Sequence, residues 1–153
     1  MNASYERAAT TYAKTDVETG VIAASPEALV VMLYDGAIRS LALAKVEMLQ
    51  NHHAAKGLHI TKAIRIIEDG LQSALDLEAG GEIAQNLGAL YTYMTEQLWA
   101  ANGLNDTDRL DEVSRLLREL KGAWESLIQM QTSRNRSGEE APRARTAVSY
   151  GKA

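Results

Sequence analysis

The residues of this 153-residue chain that could bind a metal or move a proton are few and poorly spaced for either task. It has three histidines, His52, His53 and His59, and no cysteine. Without cysteine there is no disulfide, no thiol nucleophile and no Cys-based zinc site. A di-metal carboxylate centre in a helical protein needs Glu-x-x-His on facing helices, and no Glu stands three residues before any of the histidines. They fall in or beside a polar stretch, where imidazole is ordinarily solvated, so a stray metal is the most they are expected to hold. Glu68, Asp69, Asp76 and Glu119 lie on the polar sides of their segments rather than among the leucines. Gly80-Gly81 follows no strand, so it is a helix break and not a phosphate loop. Ser and Asp show no spacing that suggests a triad. The expectation is therefore no catalytic residue, no metal and no cofactor.

Charge narrows the partners. The net charge is −4, but Thr132–Ala153 carries five Lys/Arg against two Glu, which leaves −7 on Met1–Gln131. A net-acidic body argues against nucleic acid as the main partner. The basic tail (Arg134, Arg136, Arg143, Arg145, Lys152) has one aromatic, Tyr150, and two interrupting acids, and reads as a plain soluble tail. No apolar run approaches a membrane span, and none follows the polar N-terminus as a secretory leader would. No membrane insertion is expected, and a cytoplasmic location fits.

The elements behind these residues are helices. Ser25 can cap, Pro26 suits the first helical position and Glu27 meets the positive end of the dipole; nothing then stops the helix until Asn51-His52-His53. After a polar turn over Gln50–Leu58, a second helix shows a face of Ile60, Ala63, Ile64, Ile67, Leu71, Ala74 and Leu75. Gly80-Gly81 ends it, the first glycine as C-terminal cap. The third helix has Ile83, Leu87, Leu90, Tyr91, Met94, Leu98 and Ala101 inward and closes at Asn102-Gly103. Asn105 or Asp106 caps the fourth, whose face is Leu110, Val113, Leu117, Leu120, Trp124 and Leu127. No segment has the period-two alternation of a strand. The fold class is all-α: an antiparallel up-down four-helix bundle over 25–131, a short N-terminal helical arm and linker over 1–24, and a disordered basic tail over 132–153. Gly36, Gly70, Gly88 and Gly122 each sit inside a different bundle helix at roughly 1 kcal/mol apiece against Ala. Some should mark close backbone approach, and at least one should be a neutral surface choice.

Counted by faces, the helices carry more apolar residues than one seam requires. The surplus comprises Val30, Tyr34, Ile38 and Leu41 on the first helix, Tyr93 and Trp99 beside the main face of the third, and Leu116 and Ile128 on the fourth. Part of this is the wide stripe of any globular helix; contiguous apolar surface otherwise marks interaction. In the N-terminal segment Tyr5 and Tyr12 stand seven apart and can share a face, either as a frayed terminus or as an amphipathic arm that folds back on the body. Grooves between helices suit another amphipathic helix. The chain alone thus reads as an interaction module or chaperone.

Three stretches carry a resemblance. Ala24-Ser25-Pro26-Glu27 followed by Val31-Met32-Leu33-Tyr34-Asp35-Gly36-Ala37-Ile38 is similar to the flagellar export chaperone FliS, the flagellin-binding family. Gly80-Gly81-Glu82-Ile83-Ala84, with Asn86-Leu87 and Leu90-Tyr91-x-Tyr93-Met94, matches next. Asn105-Asp106 with Glu112-Val113, Leu116-Leu117 and Ala123-Trp124 completes the register from about Tyr5 to Met130. The resemblance implies a cytoplasmic bundle that binds the disordered C-terminal segment of flagellin, prevents premature polymerisation and delivers it to the flagellar type III export gate. It also implies that the arm, here Tyr5 to Thr15 with Tyr12 the matching position, can cover part of the surface. The alternative from another class is a regulatory adaptor that uses the same grooves for a transcriptional inhibitor or another flagellar protein; an enzyme with a bundle-core metal is the weakest reading.

Overall fold

The computed structural model describes residues 25–137. Four helical rods account for nearly all of them: α1 (Pro26–Leu49), α2 (His53–Arg65) with a π-helical continuation (Ile66–Gln72), α3 (Gly81–Leu104) and α4 (Thr107–Arg136). Among the described residues there is no strand. α1 packs on α2 and α4, and α3 closes the ring against α4 and the α2–π rod. That arrangement is the antiparallel up-down bundle the alternating faces require.

The helix ends follow local chemistry. The Ser25 hydroxyl accepts from the Ala28 amide at 3.2 Å, with Pro26 in the first turn. Asp106 caps α4 by accepting from the Asp108 amide at 3.0 Å, and Asn105 ends α3 in the left-handed region at φ 56°. Lys56 is buried and reaches that corner, its Nζ donating to the Asn102 carbonyl (3.0 Å) and to Asn105 Oδ1 (3.1 Å). A cation at a helix C-terminus opposes the negative end of the dipole.

Several boundaries depart from the sequence expectation. The first turn is short, Gln50–His52, because Asn51 adopts φ 60° and reverses the chain at once; α2 therefore starts at His53. Its continuation widens to a π-helix, marked by the Ser73 amide bonding the Glu68 carbonyl five residues back. Widening brings adjacent pairs inward, Ile66 with Ile67 and Gly70 with Leu71, so Ile66 joins a core that a 3.6-residue period would leave it outside. The rod ends at Gln72, and a turn through Asp76, whose carboxylate accepts from Ala79 N at 2.9 Å, precedes α3. Gly81, not Gly80, holds the left-handed conformation (φ 60°). α4 continues to Arg136, five residues past Gln131, since nothing in Thr132–Arg136 breaks a helix.

The core runs the length of the bundle. Tyr34 of α1 meets Tyr91 of α3 across the diagonal, hydroxyl to hydroxyl at 2.5 Å, and the Trp124 indole N–H of α4 donates to the same Tyr34 oxygen at 3.2 Å. Three helices are thus tied at one buried polar point, and burial drives the Tyr34 phenol well above its ordinary pKa, with Tyr91 adding to the shift. Gly88 does not mark a close backbone approach: a Cβ there would make ordinary contact with the Leu75 side chain at 3.6 Å. Gly122 has open space around the same position and is the neutral surface choice expected of one of the four.

Candidate functional site

The structure corrects the apolar count on α1. Val30, Tyr34 and Leu41 are buried in the chain's own core, because a rod that touches neighbours on both flanks must bury a wide stripe. Direct contact of these three with a partner would require the bundle to open. Ile38 is only half-buried. It lies on the α1 flank that meets α4, between the ion pairs Asp35–Lys121 (2.7 Å) and Lys45–Asp111 (3.0 Å); the hydrogen bond to Asp35 raises the Lys121 pKa. Tyr5 and Tyr12 lie outside the described residues.

Tyr93 and Trp99 are exposed on α3, but on opposite flanks. The Tyr93 hydroxyl donates to Glu112 Oε2 of α4 at 2.6 Å, and this bond raises the phenol pKa. Trp99 stands seven residues after Thr92, whose hydroxyl accepts from Gln72 Nε2 at 2.9 Å, and so shares the flank that faces the α2–π rod. The two aromatics do not form one site.

The flank shared by Tyr93 leads to a longer feature. Near the Asn105–Asp106 corner the α3–α4 seam is polar: Arg109 donates to Gln97 Oε1 (2.6 Å) and to Asp106 Oδ2 (3.1 Å), and Tyr93 donates to Glu112. These pairs fix the antiparallel register, which sets Leu90, Leu87 and Ile83 against the Leu116–Ala123 stretch of α4. Beyond the polar end both helices present leucine and isoleucine. Leu87, Leu90, Leu116, Leu120 and Leu127 pack on the core while remaining partly open, and Ile83 is 54% exposed. Because α3 begins at Gly81, α4 runs on past it, and Met130 is 54% exposed there. The result is an apolar trough of about 21 Å along α4, Leu116 to Met130 at 1.5 Å per residue. By apolar period alone Leu116 is surplus and Ile83, Leu87, Leu90, Leu120 and Leu127 belong to the core; which of them stay open depends on register, which the cross-helix polar pairs supply.

A second set of exposed apolar residues, Leu43 and Val46 of α1 and Leu58 of α2, lies on other faces. The trough offers apolar area and no reacting group. His52 Nδ1 meets Glu47 Oε1 at 2.7 Å, and among the described residues no three His, Asp or Glu come together as metal ligands. No helix among the described residues is long and apolar enough to cross a membrane.

Comparison with known proteins gives one result throughout. Residues 8–131 match the family described as flagellar protein FliS. The flagellar secretion chaperone FliS of Escherichia coli K12 is 45% identical over 118 residues, covering 76% of this chain and 87% of that protein. The Salmonella typhimurium protein of the same name is 45% identical over 76% of this chain and 86% of its own length. The Bacillus subtilis one is 32% identical over 78% and 85%. These relatives are secretion chaperones and not enzymes, and the chain belongs to the FliS family of flagellar secretion chaperones.

Proposed function

We propose that this chain is a cytoplasmic chaperone that holds the C-terminal segment of flagellin as an amphipathic helix in the α3–α4 trough, keeps it from polymerising and presents it to the flagellar type III export gate. The observation that carries the reading is the half-open apolar seam from Leu90 and Leu116 to Met130, whose side chains pack on the core with one side and stay partly open on the other. A helix laid in such a groove buries one apolar stripe at about 25 cal/mol per Å². Part of that gain is spent on ordering a segment that is disordered when free, so affinity depends on long contact rather than on a few polar bonds. Tyr93 stands at the polar mouth of the trough, Ile38 and Trp99 belong to secondary contacts on neighbouring flanks, and Tyr5 and Tyr12 act from the N-terminal arm. No bond is made or broken; the chaperone works by covering.

The test is titration of a peptide of the flagellin C-terminal segment into the pure protein, followed by circular dichroism. A saturable one-to-one complex with added helix is expected, and Leu120→Glu should abolish it while the free protein keeps its helicity. Normal binding by Leu120→Glu would remove the trough from the account.

A further inference from the structure

We infer that the polar clasp at the corner end of the α3–α4 seam sets how much of the bound segment can be buried. The inference rests on the trough reading above. The clasp consists of two cross-helix bonds one turn apart, Tyr93 to Glu112 at 2.6 Å and Arg109 to Gln97 at 2.6 Å, with Arg109 also held by Asp106. Both acceptors and both donors reach across the same seam whose continuation is apolar. A helix that slid along the trough past Leu90 would meet a half-exposed ring of side chains already bonded to each other. It would have to desolvate the Glu112 carboxylate and the Arg109 guanidinium without offering either a partner, which costs more than an apolar contact returns.

The clasp is therefore a stop. It limits the buried stripe to the stretch from Leu116 to Met130, about four helical turns, and so fixes the register in which the segment lies. At the other end of the trough, where α4 outruns α3 beside Met130, no such cross-helix clasp stands among the described residues. The occupant this geometry fits is an amphipathic helix with four apolar anchors that enters with one end against Tyr93 and leaves by the Met130 end. Glu112 and Tyr93 act as specificity-determining residues for length and register.

The experiment pairs two peptides from the flagellin C-terminal segment with chaperone variants. One peptide spans the four-turn core and the other extends it by two turns at the end that abuts Tyr93, found by trimming each end in turn. With the wild-type chain the extension should leave the dissociation constant within about twofold. A Tyr93→Leu, Glu112→Leu double variant continues the apolar floor, and the longer peptide should then bind about tenfold tighter than the shorter, the effect of one further buried anchor. Glu112→Gln keeps an acceptor for the Tyr93 hydroxyl but removes the charge that must be desolvated, so its length dependence should fall between those of wild type and the double variant. Equal length dependence in wild type and double variant, with Leu120→Glu still abolishing binding, would overturn the stop and spare the trough. Binding that survives Leu120→Glu would overturn both.

Discussion

Replacing Tyr34 separates a core residue from a binding residue. Its ring is fully buried, and its hydroxyl joins Tyr91 and Trp124 at 2.5 and 3.2 Å. Tyr34→Phe keeps the ring and deletes both bonds, at about 1 kcal/mol each, so about 2 kcal/mol of stability. Urea unfolding followed at 222 nm should then show a midpoint lower by about 1 M with an unchanged slope. Tyr34→Asp is harsher. It combines a large cavity, about 3–5 kcal/mol, with a carboxylate that has no cation beside it, about 3–5 kcal/mol more. Against a total stability of about 5–15 kcal/mol, that variant should be largely unfolded at pH 7. The same residue gives a pH signature. Burial, then Tyr91, raises its phenol pKa, so the native state keeps a proton that the unfolded chain gives up near pH 10. The associated stability is intact below that pH and falls away as pH climbs toward the raised native value. Tyr34→Phe has no proton to lose, and its stability should fall less steeply above about pH 10. A Tyr34→Asp protein with wild-type helicity and midpoint would refute the burial argument, and with it the withdrawal of α1's inner face from the binding surface.

Gly122→Ala should raise stability by about 1 kcal/mol, since a Cβ there meets nothing and helix propensity favours alanine; thermal melting checks it, with no change expected in peptide binding. Gly81→Ala should do the reverse, losing about 1 kcal/mol or more, because Gly81 holds φ 60° at the entry to α3. Lys56→Ala should cost about 1–3 kcal/mol by releasing the α3 C-terminus from its two bonds to Asn102 and Asn105, and amide exchange should quicken first in the last turn of α3.

Much of the architecture was legible in the residues. Ser25-Pro26 and Asp106 mark helix starts by chemistry that needs no tertiary context, and the Ile60–Leu71 and Leu110–Leu127 faces carry their period openly. The π-widening at Ile66–Gln72 was not legible, since it exchanges one hydrogen-bond pattern for another under packing by α1 and α3, and a fixed 3.6-residue wheel assigns Ile66 to solvent. The site was half legible for a related reason. Apolar count shows that a bundle has more than it needs, but which residues stay open depends on how far apart two helices sit and in what register. Val30, Tyr34 and Leu41 were counted as surplus and are core; Ile83 and Leu120 were counted as core and line the trough. Tyr93 and Trp99 both stand beside the main face of the third helix, as the spacing indicates, but six residues apart on a helix they fall on different flanks of it.

The claim that most needs direct measurement is that the α3–α4 seam is where the client lies. Methyl-resolved NMR of the free and flagellin-peptide-bound chaperone measures it side chain by side chain. The expected result is shift changes centred on Ile83, Leu87, Leu116, Leu120 and Leu127, reaching Met130, with the Val30 and Leu41 methyls nearly still. Changes centred instead on Leu43, Val46 and Leu58, with the trough methyls unmoved at saturation, would contradict it.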